Sequence, residues 1–120
     1  MDLKYLQADG KPCIAELCDE NFVIRQPQDV LDIFGDMMFS GCDRLMVHER
    51  SLDADFFDLK TRLAGDILQK FSNYRVKLAI IGNFEKYSSK SLQDFIFESN
   101  KSQTVFFTGT IESAIQRLEK

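Results

Sequence analysis

The chain has 120 residues, 44% of them hydrophobic, which suits one domain, 1–120, able to bury its own core without a metal or a disulfide. Fifteen Lys and Arg against nineteen Asp and Glu leave a net charge of −4. That balance excludes a general nucleic-acid binder, whose basic surface has to displace counterions. No apolar run approaches the ~20 residues of a membrane span, and MDLKYLQADG lacks an apolar signal core. A cytoplasmic protein without membrane contact is expected.

LKYLQADGKPCIAEL reads as two short strands around Asp9-Gly10, a tight-turn pair, and predicts an antiparallel hairpin. NFVIRQP leads into a helix, with Pro27 in the first turn, where its missing N–H costs nothing. Val30, Leu31, Phe34, Met37 and Met38 recur at helical spacing, and Gly41 is a natural stop. RLMV at 44–47 has strand length. After Ser51 a longer helix is expected, with Phe56, Leu59, Leu63, Ile67 and Phe71 as its stripe and Asn73 near its end. Phe57 lies at the edge of that stripe, and both phenylalanines are assigned to the core. Gly65 inside the helix costs about 1 kcal/mol of propensity, which suggests a close backbone approach.

VKLAII at 76–81 is the clearest strand, closed by Gly82 and the turn-rich GNFEKYSS. SKSLQDFIFESN is a helix with Leu92, Phe95 and Ile96 inward. TVFF at 104–107 is the last strand, and Thr110 caps a last helix carrying Ile111, Ala114, Ile115 and Leu118. The order β-β-α-β-α-β-α-β-α predicts a mostly parallel sheet, since each helix returns the chain to start a new strand. Leu45, Val47, Val76, Leu78, Ile80, Val105 and Phe107 make one face wholly apolar. The other face mixes Arg44, His48, Lys77 and Thr104 with Met46, Ala79, Ile81 and Phe106. Most helices should therefore pack on the first face. The apolar members of the second either form a patch for a partner, a homodimer included, or lie under a helix or the hairpin.

The three cysteines, Cys13, Cys18 and Cys42, have no CxxC spacing and suggest small buried residues in a reducing compartment, with no disulfide framework. With one histidine they make a poor zinc set, so no metal or cofactor is expected.

LKTRLAG, QKFSNYRVKLAI and SKSLQDFIFESN carry a resemblance, from about Gln26 to the C-terminus, to the bacterial family catalogued as domain of unknown function 4180. That family has no activity to transfer. More distantly, the element order looks like the STAS fold of the anti-sigma-factor antagonists, a starting hairpin and four strand–helix turns with helices mainly on one face. In those antagonists a serine at the start of the second helix is phosphorylated, within a motif of an aspartate, two small residues and a glycine. Here the stretch is Glu49-Arg50-Ser51-Leu52-Asp53. Ser51 falls near the position, but the small pair and the glycine are missing, which argues against its phosphorylation.

Sites in parallel sheets collect at the carboxyl ends of strands. The loops after Val47, Ile81 and Phe107 would bring together His48, Glu49, Arg50, Ser51, Lys86, Tyr87, Ser88, Ser89, Lys90, Thr108 and Thr110. His48-Glu49 is a poor acid–base pair, because neighbours on a strand point to opposite faces. Ser51 has no adjacent base and no nucleophile-elbow glycines. No residue is assigned as catalytic, and an enzyme is the lesser expectation. Asp53, Asp55 and Asp58 lack calcium-loop spacing and suit a helix start. The leading expectation is a non-enzymatic regulatory or protein-interaction module, binding an unidentified protein through 48–62 with His48, Glu49, Arg50, Ser51, Asp53 and Lys60. The alternative is a small-ligand or anion site on the three loops, with Ser88 and Ser89 contributing hydroxyls against the competing role of helix caps.

Overall fold

The computed structural model describes residues 1–120. Strands β1 (Leu3–Leu6), β2 (Ile14–Leu17), β3 (Arg44–His48), β4 (Lys77–Ile81) and β5 (Val105–Thr108) alternate with helices α1 (Pro27–Phe39), α2 (Leu63–Tyr74), α3 (Lys90–Lys101) and α4 (Ile111–Leu118) after the opening hairpin. The sheet order is β1-β2-β3-β4-β5, antiparallel only between β1 and β2. Gly10, at φ +74°, turns the hairpin, and Gly41, at φ +81°, ends α1. The start of α1 is a capping box in which the Asp29 carboxylate accepts the Gln26 N–H at 3.2 Å.

The sequential order decides where the helices go. Three successive crossovers step along the sheet in one direction, and the right-hand rule then puts α1, α2 and α3 on the same face. Their buried residues, among them Val30, Phe34, Ile67, Phe71 and Leu92, join Leu45, Val47, Leu78, Ile80 and Phe107 in one core. Phe34 meets Phe71 edge-on, ring centres 4.9 Å apart. Helix α4 feeds no further strand and folds over the opposite face, where Ala114 and Leu118 cover Met46, Ala79, Ile81 and Phe106. These four belong to the second core, so they do not form a patch for a partner or for a homodimer.

The polar strand residues on that face anchor α4. Arg44 Nε donates to the Leu118 carbonyl and Lys77 Nζ to the Lys120 carbonyl at 3.0 Å, which supplies the C-terminal end with the donors and positive charge it needs. Arg117 lies 4.2 Å above the Phe106 ring.

Four expectations need correction. Residues 49–61 are not the start of a long helix but three short 3-10 turns, Glu49–Ser51, Ala54–Phe57 and Leu59–Thr61. The cause is local. The Asp53 carboxylate accepts the Asp55 N–H and Asp58 accepts the Lys60 N–H, both alternatives to helical bonding. Arg62 at φ +66° then breaks the path before α2 begins. Phe56 and Phe57 still reach the core, at 0% and 7% exposure. Gly65 meets no close backbone; a Cβ there would find nothing within 4 Å. Cys13 and Cys42 are disulfide-bonded, with Cα atoms 5.0 Å apart, because each precedes one of two neighbouring parallel strands. Cys18 is free and exposed rather than buried.

Candidate functional site

The junction after β3 is held from three sides. On the first, the backbone of Ile24, just before α1, pairs with the segment around Leu52. Ile24 N–H donates to the Ser51 carbonyl at 2.8 Å and Asp53 N–H to the Ile24 carbonyl at 3.0 Å. This buries Ser51 to 3% exposure. On the second, the Thr61 hydroxyl lies 2.7 Å from the Asp55 carbonyl and 2.8 Å from that of Asp58, and it accepts the Leu63 N–H at 3.2 Å. Thr61 therefore closes the last two turns on the helix that follows.

The third side is Glu49. One carboxylate oxygen receives the Tyr87 hydroxyl at 2.5 Å and Lys86 Nζ at 2.8 Å; the other receives the Asn83 N–H at 3.2 Å. The loop after β4 is thereby strapped to the loop after β3. Gln93 holds the same loop from α3, donating to the Phe84 and Tyr87 carbonyls at 2.8 and 2.9 Å. The Tyr87 ring stacks on Phe57, ring centres 5.0 Å apart. Gly82 leaves the space that the Glu49 side chain fills.

Burial would raise the Glu49 carboxyl, but hydrogen bonds from Lys86, Tyr87 and the Asn83 N–H outweigh it and hold the group below its ordinary value. Burial, then the Glu49 carboxylate, pushes the Tyr87 hydroxyl well above an ordinary phenol. The signs give a pH window. The lowered Glu49 contributes stability above its unfolded value of about 4.3, lost as pH falls through the folded value. The raised Tyr87 contributes stability below its unfolded value of about 10, lost as pH rises toward the folded one. Melting temperatures of wild type and Tyr87→Phe are therefore expected to converge above about pH 10, with the wild type ahead at neutrality. A constant gap across that range would show that the hydroxyl does not donate to Glu49.

His48 turns to the opposite face of the sheet. Its Nε2–H donates to Glu16 Oε2 at 2.7 Å, with the two side chains 14% and 11% exposed. The histidine does have a carboxylate partner, but from β2 rather than its sequence neighbour. Glu16 sits on the same side of β2 as Cys18, whose thiol is raised by burial and by the Glu16 carboxylate against the opposing charges of Lys4 and Arg50. The remaining expected residues divide. Arg50 and Lys60 are exposed. Asp53 caps its turn and lies 3.9 Å from Arg25. Ser88 is exposed, and Ser89 caps α3 by accepting the Leu92 N–H at 3.2 Å. Thr110 caps α4 through the Ser113 N–H at 3.1 Å.

The predicted rim is not one cavity. An open cleft of about 270 Å³ lies between Glu49, Arg50, Phe57, Lys86 and Tyr87, and another of about 370 Å³ between Asn83, Glu85, Gln93, Asn100 and Thr108. His48, Ser88 and Ser89 line neither. The helices that follow β4 and β5 lie on opposite faces, and the second cleft opens between the loops that leave those two strands.

Glu16 and Gly82 carry no site signal in the sequence; Thr61 lies within LKTRLAG, one of the three stretches that carry the family resemblance.

The molecule is a single α/β domain, with a five-stranded, mostly parallel sheet and a junction whose titratable groups cross-link its loops. The chain belongs to the family described as Domain of unknown function (DUF4180), whose model matches residues 9–118. Neither the curated proteins nor the solved structures give a significant match. No helix is long and apolar enough to cross a membrane.

Proposed function

We propose that this domain is a non-enzymatic regulatory or protein-interaction module of STAS-like architecture, and that segment 48–62 is its working surface. The observation that carries this reading is the way the segment is built. Three consecutive turns, tied down by Ile24, Thr61 and Glu49, hold exposed Arg50, Ala54, Asp55 and Lys60 on a fixed backbone. A pre-ordered surface loses little conformational entropy on binding. Arg62, in the left-handed region, adds backbone strain of the kind that clusters at recognition and active sites. The acid–base groups nearby already have structural partners, Glu49 with three donors and His48 with Glu16. The phosphorylated serine of the resembled antagonists has no accessible counterpart in Ser51. Regulation would therefore act through occupancy of the surface.

A photo-crosslinking residue placed at Arg50 or Lys60 in the native cell is expected to trap one protein in common, and one placed at Gln103, in the loop before β5 at the opposite end of the strands, is not. Purified with that protein, the Arg50→Glu/Lys60→Glu variant should bind about tenfold more weakly, with a shallower salt dependence. Equal trapping from all three positions, or unchanged affinity, would remove the proposal.

A further inference from the structure

Two side-chain amides line the cleft between the loops that leave β4 and β5, and each has one end tied to the backbone. Gln93 Nε2 donates to the Phe84 and Tyr87 carbonyls at 2.8 and 2.9 Å. Both of its N–H groups are therefore taken, and the free end is the oxygen. Asn100 is the reverse case. Its Oδ1 accepts the Phe107 N–H at 2.7 Å, and the free end is the Nδ2 donor. No unpartnered side-chain N or O is buried, so both free ends are open to solvent.

Phe107 adds a backbone acceptor. Leu78 N–H donates to the Thr104 carbonyl and Gly82 N–H to the Thr108 carbonyl, so alternate residues 104, 106 and 108 bond to β4. Phe107 turns its N–H and C=O to the outer edge, where Asn100 takes the N–H and the C=O is left free. Gln93 and Asn100 stand seven residues apart on α3, two turns along one side of the helix. The bonds to backbone hold both amides in place before any ligand arrives.

The rest of the wall narrows the chemistry. Glu85 is its one charged side chain, and no Lys or Arg lines it. An anion would meet a carboxylate and no countercharge. The Phe84 and Phe107 rings, edge-on with centres 5.2 Å apart, supply an apolar part. At about 370 Å³ the cleft falls in the lower part of the range for small-molecule sites. Its place is the usual one in open α/β sheets, outside the carboxyl ends of strands whose helices depart to opposite faces.

We infer that this cleft binds a small uncharged molecule through an amide edge. The ligand's C=O accepts from Asn100 Nδ2, and its N–H donates to Gln93 Oε1 or to the Phe107 carbonyl. Two chemical sources carry such an edge, a primary carboxamide and the lactam of a nucleobase. None of residues 48–62 lines the cleft, so the site is separate from the surface proposed above.

Amide NMR spectra of the full chain, titrated with nicotinamide, uridine and nicotinate, test this. Nicotinamide or uridine is expected to give saturable shifts centred on residues 82–85, 93, 100 and 107–109. Nicotinate, which carries a carboxylate in place of the amide, is not. A response to nicotinamide alone identifies a carboxamide, and one to uridine alone a nucleobase. Asn100→Asp keeps the oxygen that accepts the Phe107 N–H and removes the free donor, and should raise the Kd about tenfold or more. A Cβ on Gly109 meets nothing within 4 Å, so Gly109→Phe should block the cleft while the rest of the spectrum stays in place. No saturable shift from either neutral probe up to about 10 mM would overturn the inference. Equal binding of nicotinate, or a Kd unchanged by Asn100→Asp or by Gly109→Phe, would overturn it as well.

Discussion

Replacing His48 with alanine is expected to destabilise the domain by about 3 kcal/mol, among the largest effects of any polar substitution in this chain. The residue lost is largely buried, but the larger cost falls on its partner. Glu16 is 9% exposed on β2, and without His48 Nε2 its carboxylate stays there with no partner for the oxygen that accepts at 2.7 Å. Removing one member of a buried pair costs more than removing both. The Glu16→Leu/His48→Ala double variant is therefore expected to be more stable than either single substitution. Urea denaturation of the four proteins gives the answer. Single and double variants that lose stability in simple proportion would show that the two side chains contribute separately.

Gly82→Ala is expected to cost about 2 to 4 kcal/mol, although its φ does not lie in the glycine-favouring region. Space is the cause. A Cβ at this position would lie 2.6 Å from Glu49 Oε1 and 2.7 Å from Glu49 Cβ. The carboxylate end can swing away, but Glu49 Cβ is fixed by the backbone that follows β3. Relief of the clash would release Tyr87, Lys86 and the Asn83 N–H together, and the strap between the two loops with them. In a Glu49→Gly background the same Gly82→Ala change should cost much less, because both Glu49 atoms are gone and only the Phe84 Cζ contact at 3.1 Å remains. Equal penalties in the two backgrounds, read from chemical denaturation, would place the strain elsewhere.

The sequence carried the sheet and its helices well because hydrophobic period and turn chemistry are local. Asp9-Gly10 marked the hairpin, Pro27 and Gly41 bracketed α1, and Thr110 capped α4. The helix expected across Phe56 to Phe71 shows where that method stops. Its apolar spacing fits one continuous helix, yet Asp53, Asp58 and Thr61 bond their own backbone and divide the first half into turns. Burial of Phe56 and Phe57 is compatible with either path, so periodicity could not choose between them. The site was legible only in outline. His48 and Glu49 stood out by type, but their partners, Glu16 and Tyr87, depend on strand register and on a loop crossing between strands. Arg44 and Lys77 make that face look mixed and leave open whether a helix covers it, whereas they bind the end of the helix that does. The Cys13–Cys42 bond also depends on register, being made between the starts of adjacent strands, and no spacing rule reveals it.

The sequential strand order bears on how the domain forms during synthesis. Each strand pairs with the one made before it, so no edge has to wait for a distant segment. The hairpin can close first, and every later strand adds to an edge already present, with its helix docking behind it. Topologies dominated by near-neighbour pairing cross lower entropic barriers than those whose strands interleave. Only α4 stands outside this progression. Until it folds back onto Arg44 and Lys77, Met46, Ala79 and Phe106 face water, so the nascent domain is most prone to aggregate just before its last helix docks.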